Sequence, residues 1–112
     1  MCLEGLTQLQ GLDIHGNQVS DVGLEHLKGL LLLHELRLSW TETEITDAGL
    51  VHLKGLTQLE MLDLDGTQIT DAGLEHLKLL TQLKQLHVKS TDVTDEGVQE
   101  LQQALPNCKI QR

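Results

Sequence analysis

Three histidines recur at equivalent points of this sequence and are the first side chains that could do chemistry. His26, His52 and His76 each stand two positions after a Gly-Leu pair. Imidazole nitrogens bind zinc or nickel, so such a column can indicate a metal site. Equivalent positions on packed helices, however, lie about 8–10 Å apart, too far to share an ion whose bonds are about 2 Å long. We therefore predict a structural or solvated row at these positions.

Two carboxylates offer a second arrangement that could hold a metal ion. Asp63 and Asp65 alternate on one face of an apolar-polar stretch, and carboxylate oxygens are ligands that calcium prefers. Calcium takes about six to eight oxygens, and this sequence lacks the oxygen-rich loop that usually supplies them. The sequence accordingly predicts neither a metal site nor a cofactor.

The side chains that could act in catalysis are not arranged for it. Ser20, Ser39 and Ser90 lack any nucleophile motif, and Cys2 and Cys108 stand near opposite ends of the chain without an obvious base. The glycines follow a repeat period rather than the spacing of a phosphate-binding loop. We therefore predict no catalytic residues and no enzymatic activity.

Composition indicates a repeated structure and restricts the partners. Leucine supplies 26 of the 112 residues, Trp occurs once, and Phe and Tyr are absent. A core without aromatic rings must be assembled from many similar layers of Leu, Ile and Val. The net charge is −9, and the eight Lys and Arg residues are spread along the chain. Nucleic acid and anionic membranes need clustered positive charge, so neither is expected as a partner.

The repeat becomes visible when the chain is divided at Thr-Gln-Leu. Repeats cover residues 7–30, 31–56, 57–80 and 81–104, with partial repeats at 1–6 and 105–112, and together they form one domain over 1–112. Early in each repeat apolar and polar residues alternate, as in Leu62-x-Leu64 of the third, which is typical of a strand. Ser-Asp or Thr-Asp then precedes leucines at helical spacing, which is an N-cap signal.

Stacked copies of this unit can bury the apolar positions that one copy cannot. Strands would pair in parallel on one side while short helices line the other, giving an elongated array that buries less surface than a globular domain. Four columns would fill the interior: Leu12, Leu36, Leu62 and Leu86; Ile14, Leu38, Leu64 and Val88; Val19, Ile45, Ile69 and Val93; and Leu27, Leu53, Leu77 and Leu101.

The pattern L-x-x-L-x-L-x-x-N/T-x-I, followed by T-D-x-G-L-x-x-L, resembles the leucine-rich-repeat family, in its bacterial form with about 24 residues per repeat. The resemblance implies an α/β solenoid, a right-handed horseshoe segment with a parallel sheet on the concave face and short helices on the convex face. The usual Cys of ubiquitin-ligase adaptor repeats is missing, so no adaptor role is carried over. The family's Asn position is occupied by Asn17, Thr43, Thr67 and Thr91, which we interpret as structural.

In this family the concave sheet and the adjoining loops hold most partner contacts, so the resemblance implies a protein-binding surface. The residues that we expect to contact a protein are Trp40, Arg37, Met61, Asp63, Asp65 and His87. Two alternatives stay open: Arg37 pairs only with Asp13 and Asp63 across the strands, and Trp40 folds back over Leu38 or a neighbouring turn.

Two functions are therefore compared, a protein-binding scaffold and a structural segment. Leu3-Glu4-Gly5-Leu6 matches Leu27-Lys28-Gly29-Leu30, so the chain is expected to start inside a repeat without a cap and to be part of a longer array or to self-associate there. The two cysteines are too far apart in this fold to pair, and neither a signal peptide nor a long apolar run is present. These features favour the cytoplasm.

Overall fold

Five three-residue strands form one parallel sheet in the computed structural model of the protein, which describes residues 10–13, 20–40 and 45–112. The strands follow one another in chain order: β1 (Gly11–Asp13), β2 (Glu35–Arg37), β3 (Met61–Asp63), β4 (Gln85–His87) and β5 (Lys109–Gln111). The α-helices are α1 (Asp21–Leu24), α2 (Asp47–Leu50), α3 (Asp71–Leu74) and α4 (Asp95–Ala104). A single 3₁₀ turn follows each of the first three, at Glu25–Leu27, Val51–Leu53 and Glu75–Leu77. This architecture confirms the predicted solenoid.

The strand register places equivalent residues of successive repeats side by side. The central residues Leu12, Leu36, Leu62, Leu86 and Ile110 pair in order along the sheet. The second repeat is two residues longer than the first, yet Leu36 still pairs with Leu62. The difference in repeat length therefore leaves the strand register unchanged, and the residues on either side of each central position lie on the concave surface.

Aliphatic side chains fill the interior, as the sequence predicted. The described core columns are buried, with Leu36, Leu62 and Leu86 showing no exposed surface, whereas Leu12 at the edge is partly buried. Ile14 and Val19 lie outside the described residues. The radius of gyration is 12.7 Å, close to the ~13 Å typical of a compact domain of about 100 residues. The principal-axis extents are 37, 26 and 18 Å, so the molecule is longer in one direction than in the other two, as expected of a short array.

Threonine at the family's Asn position holds the turn after the strand. The hydroxyls of Thr67 and Thr91 donate to the carbonyls of Leu64 and Val88, each at 2.6 Å. These bonds satisfy carbonyls that the short strands leave unpaired. The structural interpretation holds at both positions, while Asn17 and Thr43 lie outside the described residues.

The Thr-Asp pair at each helix start serves two purposes. Thr46, Thr70 and Thr94 are N-caps whose hydroxyls accept from a backbone N–H of their own helix. The aspartate instead accepts two bonds from the threonine of the next repeat, one from its backbone N–H at 2.8 Å and one from its hydroxyl at 2.5 Å; the pairs are Asp21–Thr46, Asp47–Thr70 and Asp71–Thr94. We call this series the Asp-Thr ladder. The sequence assigned these aspartates to capping alone and missed the link between repeats.

Candidate functional site

A row of charged side chains crosses the concave face at the last position of each strand. Arg37 pairs in register with Asp63, and Asp63 with His87. We call these three residues the concave row. Parallel strands lie about 4.8 Å apart, so the sheet alone brings together three of the six residues that the sequence selected.

Arg37 and Asp63 form the ion pair that was proposed as an alternative to partner binding. The Arg37 Nη1 atom lies 3.9 Å from Asp63 Oδ2, with the Arg37 side chain 43% exposed and that of Asp63 13% exposed. A pair at this distance on an accessible surface contributes little to stability. With 43% of its side chain exposed, Arg37 remains accessible to another molecule.

Backbone amides orient the carboxylates of Asp63 and of the neighbouring Asp65. Asp63 Oδ1 accepts from the Asp65 N–H at 3.1 Å, and Asp65 Oδ1 accepts from the Lys89 N–H at 2.6 Å. His87 stands opposite Asp63 on β4, and its Nε2 atom is shielded from solvent without a hydrogen-bond partner. One potential ligand atom from each of Asp63, Asp65 and His87 lies within 4.8 Å of the others.

The Trp40 ring packs on a neighbouring turn, which is the alternative to partner contact that the sequence left open. It has a left-handed backbone conformation with φ of 52°, and its ring lies over the next turn, where a methyl group at Gly66 would overlap Trp40 Cε3 and Cδ2. The backbone N–H of Trp40 donates to the Asp65 carbonyl at 2.9 Å. Because the side chain is still 57% exposed, the ring is supported from below while one face stays open to solvent.

Met61 differs from the accessible concave contact that the sequence predicted. Its side chain is only 8% exposed, so it belongs with the buried hydrophobic residues. The residues paired with it, Glu35 and Gln85, are exposed. The long side chains of such neighbours can cover an apolar side chain and shield it from water. Met61 therefore contributes a buried side chain beneath the concave surface rather than an accessible contact.

A second charged group on the same face was missed by the sequence analysis. His34 Nδ1 lies 3.1 Å from Glu60 Oε2, and Lys84 Nζ lies 3.2 Å from Glu60 Oε1. The hydrogen bond from His34, followed by the contacts with Lys84, lowers the pKa of the Glu60 carboxyl. These residues line a shallow depression of about 220 Å³ together with Arg37 and Met61. The signal was readable, since each stands one residue before a strand.

The other candidate groups have structural surroundings. Within the described ranges, the His26, His52 and His76 row does not bring three ligand atoms within 4.8 Å of one another. Cys108 is a buried free thiol, and burial raises its pKa to about 11, which suppresses the nucleophilic thiolate. Cys2 lies outside the described residues. No helix in the described part of the chain combines the length and apolar character needed to cross a bilayer.

Comparison with known proteins gives consistent results. A family model described as Leucine Rich repeat matches residues 6–28, 56–78 and 80–101. The crystal structure of an internalin, InlF, from Listeria monocytogenes is 28% identical, with a TM-score of 0.82, and the match covers 97% of this chain and 29% of that one. Internalin C2 from the same species is 28% identical, with a TM-score of 0.75 and coverage of 96% and 44%. A Leptospira interrogans leucine-rich-repeat protein is 22% identical, with a TM-score of 0.73 and coverage of 93% and 25%. A search of curated protein sequences found no match.

Proposed function

Because the chain belongs to the leucine-rich-repeat family, we propose that it is a binding scaffold that recognises a protein partner through its concave face and the adjoining Trp40 turn. Proteins of this family generally serve as protein-interaction scaffolds rather than enzymes. The chain spans less than half of either internalin, at 29% and 44% of their lengths. The proposal therefore concerns this segment and does not take over any activity of those proteins.

The observation that carries the proposal is the supported yet open ring of Trp40. Its ring lies on the Gly66 turn and remains 57% exposed, so little conformational freedom is lost when a partner covers it. Trp and Arg are the residues most enriched at interface hot spots, and Arg37 lies on the adjoining strand with 43% of its side chain exposed. An aromatic anchor beside a half-exposed guanidinium suits a protein surface of mixed polarity.

The charges of the concave face give this surface its selectivity. Arg37 and Asp63 lie in register on neighbouring strands, and the His34, Glu60 and Lys84 group lies at the opposite end of the same strands. Charges held at fixed positions favour a partner whose own charges are opposite in sign at the matching positions. They disfavour a partner that places charges of the same sign there. We expect the partner to match both groups and to cover Trp40.

Partner binding is tested with the intrinsic fluorescence of Trp40, the single tryptophan of the chain. A partner isolated with the unmodified chain should change this emission, and its affinity, measured for every variant by calorimetric titration, should fall at least tenfold with Trp40→Ala or Arg37→Ala. Leu79→Ala is the matched control, because Leu79 is 67% exposed and follows the helical segment rather than a strand. Circular dichroism and urea unfolding confirm that each variant is folded. Affinity lost with Leu79→Ala but retained with the two concave variants would contradict the proposal.

The structural alternative stays a prediction for the start of the chain. Leu3 and Leu6, which would mediate self-association, lie outside the described residues. Light scattering at several protein concentrations separates the two functions, since a concentration-dependent oligomer that Leu3→Ser dissociates favours the assembly role. A constant monomer mass favours the binding scaffold.

A further inference from the structure

Asp63, Asp65 and His87 bring three potential metal ligands together on the concave face. The ligand-capable atoms, one from each residue, lie within 4.8 Å of one another. Two come from β3 and the turn after it, and the third from β4, where His87 is the register partner of Asp63. Atoms bound to one ion by bonds of about 2 Å are at most about 4 Å apart, so only a small closure of the side chains is required.

Both aspartates are oriented by the backbone and still have an oxygen to offer. Each uses Oδ1 to accept a bond from a backbone N–H, of Asp65 in one case and of Lys89 in the other. The bond from Asp65 orients the Asp63 carboxylate, and among the described residues the ion pair at its Oδ2 is the 3.9 Å approach of Arg37. Hydrogen bonds of this kind orient carboxylate ligands in metal sites, so part of the entropy of ordering them has been lost before an ion arrives.

The imidazole of His87 supplies an independent sign that a ligand is missing. Its Nε2 atom is almost inaccessible to solvent and has no hydrogen-bond partner. A polar atom hidden from water without a partner destabilises the folded state. A small cation held by the ring and the two carboxylates would draw the imidazole into a satisfied arrangement, whereas hydrogen bonding within the protein has not done so.

From these observations we propose that Asp63, Asp65 and His87 bind a divalent transition-metal ion of the zinc class. Imidazole nitrogen suits zinc, while a calcium site needs about six to eight oxygens. From the sequence, Asp63 and Asp65 suggested at most a calcium site. The pairing of β3 with β4 adds the imidazole of His87 as a nitrogen ligand. Three protein ligands leave at least one position of a tetrahedral ion open to water or to a group of another molecule.

Arg37 makes the proposed site sensitive to a neighbouring charge. Its guanidinium lies 3.9 Å from Asp63 Oδ2, so it competes with a cation for that oxygen. Removing this positive charge should strengthen metal binding several-fold, because a charge at such a distance opposes the ion even through the high dielectric near the surface. A nonspecific surface site would not share this dependence.

The test is calorimetric titration of the complete chain with Zn²⁺ and, separately, with Ca²⁺. We expect one Zn²⁺ per chain, at least tenfold weaker binding in His87→Gln and Asp65→Asn, several-fold tighter binding in Arg37→Gln, and no comparable binding of Ca²⁺. His76→Gln is the matched control, because it removes a histidine of the His26, His52 and His76 row and should leave the affinity for Zn²⁺ unchanged. Circular dichroism establishes that each variant is folded.

Two further readouts keep the proposal open to refutation if a variant unfolds. Co²⁺ in place of Zn²⁺ should give visible absorption typical of a low-coordinate nitrogen-oxygen site, and nuclear magnetic resonance should show the largest shifts at the His87 ring. Zn²⁺ binding that is lost in His76→Gln, or that is unchanged in His87→Gln, would overturn the proposal. So would the absence of stoichiometric binding by the unmodified chain.

Discussion

Trp40, Gly66 and Ser90 occupy the same point of three successive repeats and share a left-handed backbone, with φ of 52°, 74° and 58°. Only one of the three is glycine, although this conformation costs other residues about 1–2 kcal/mol. For Trp40 the cost is offset by the packing of its ring on the following turn, at Gly66. The turn therefore presents a large aromatic side chain in one defined orientation, which is what a binding residue needs.

Replacing Gly66 by Ala should show how strongly this contact is enforced. The added methyl group would overlap the Trp40 ring and would hold an L-residue at a φ of 74°, so we expect a loss of about 1–2 kcal/mol in the free energy of unfolding. Gly55→Ala is the control, because nothing lies within 4 Å of its added carbon. Urea unfolding followed by Trp40 emission measures both variants, and equal stability of the two would refute the contact.

At the scale of the elements, the Asp-Thr ladder joins each helix start to the next one. It requires the glycine of T-D-x-G, because a methyl group at Gly49, Gly73 or Gly97 would overlap the aspartate of the preceding repeat. The motif therefore spans two repeats: the Asp of one repeat is matched by the Thr and the Gly of the next. At α4 the aspartate, Asp95, is bound by Arg112 instead of by a threonine. Arg112 donates from Nη1 to the Asp95 carboxylate and from Nε to the Val93 carbonyl at 3.0 Å.

The ladder should make stability depend on pH in the acid range. Bonds from the Thr94 hydroxyl and then from its backbone N–H lower the pKa of Asp71. A carboxyl whose pKa is lower in the folded state stabilises the fold above its unfolded pKa, near 3.9, and loses this contribution as the pH falls through the folded value. We expect Asp71→Asn to cost about 1 kcal/mol at neutral pH, with the difference from the unmodified chain shrinking below pH ~4.

Urea unfolding at a series of pH values checks this ladder contribution. Asp92→Asn serves as the control, since Asp92 is an exposed carboxylate on the adjoining loop and should have little effect at any pH. A difference between Asp71→Asn and the unmodified chain that stays constant down to pH ~2.5 would show that the ladder bonds do not depend on the charge.

At the scale of the whole molecule, each described repeat packs against the repeats next to it in the chain. The strands contact one another in chain order, and the helices pack in the same sequence, α1 on α2, α2 on α3 and α3 on α4. No layer has an independent core, because the buried leucines of adjacent repeats pack into one continuous cluster. Stability of such a stack depends on the interfaces between layers, and a short stack should unfold as one unit.

Leu62→Ala tests this cooperativity from the middle of the stack. Leu62 has no exposed surface, so its truncation should cost about 2–5 kcal/mol while the unfolding remains a single transition with an unchanged denaturant slope. Leu79→Ala, which truncates a leucine that is 67% exposed, should cost less than about 0.5 kcal/mol. A second transition in Leu62→Ala would show that part of the array folds by itself.

The sequence by itself determined the fold and which strand residues face the concave side of the sheet. The identity of the buried columns and the strand order follow from periodicity, because apolar residues at fixed spacing can be buried only by stacking equivalent positions. The turn role of Thr67 and Thr91 was implied by the resemblance to the family. The concave placement of Arg37, Asp63 and His87 followed from the same alternation. These properties depend on residue type and spacing, which a sequence states directly.

Only the tertiary structure decided which side chains meet across repeats. The overlap of Trp40 with the Gly66 turn, the burial of Met61, the bonds from Thr70 to Asp47 and the approach of His87 to Asp63 and Asp65 join residues 22 to 26 positions apart. Such contacts are set by backbone direction at the turns and by the rotamers that neighbours permit. Spacing along a chain does not contain that information, since two side chains on one face can point together or apart.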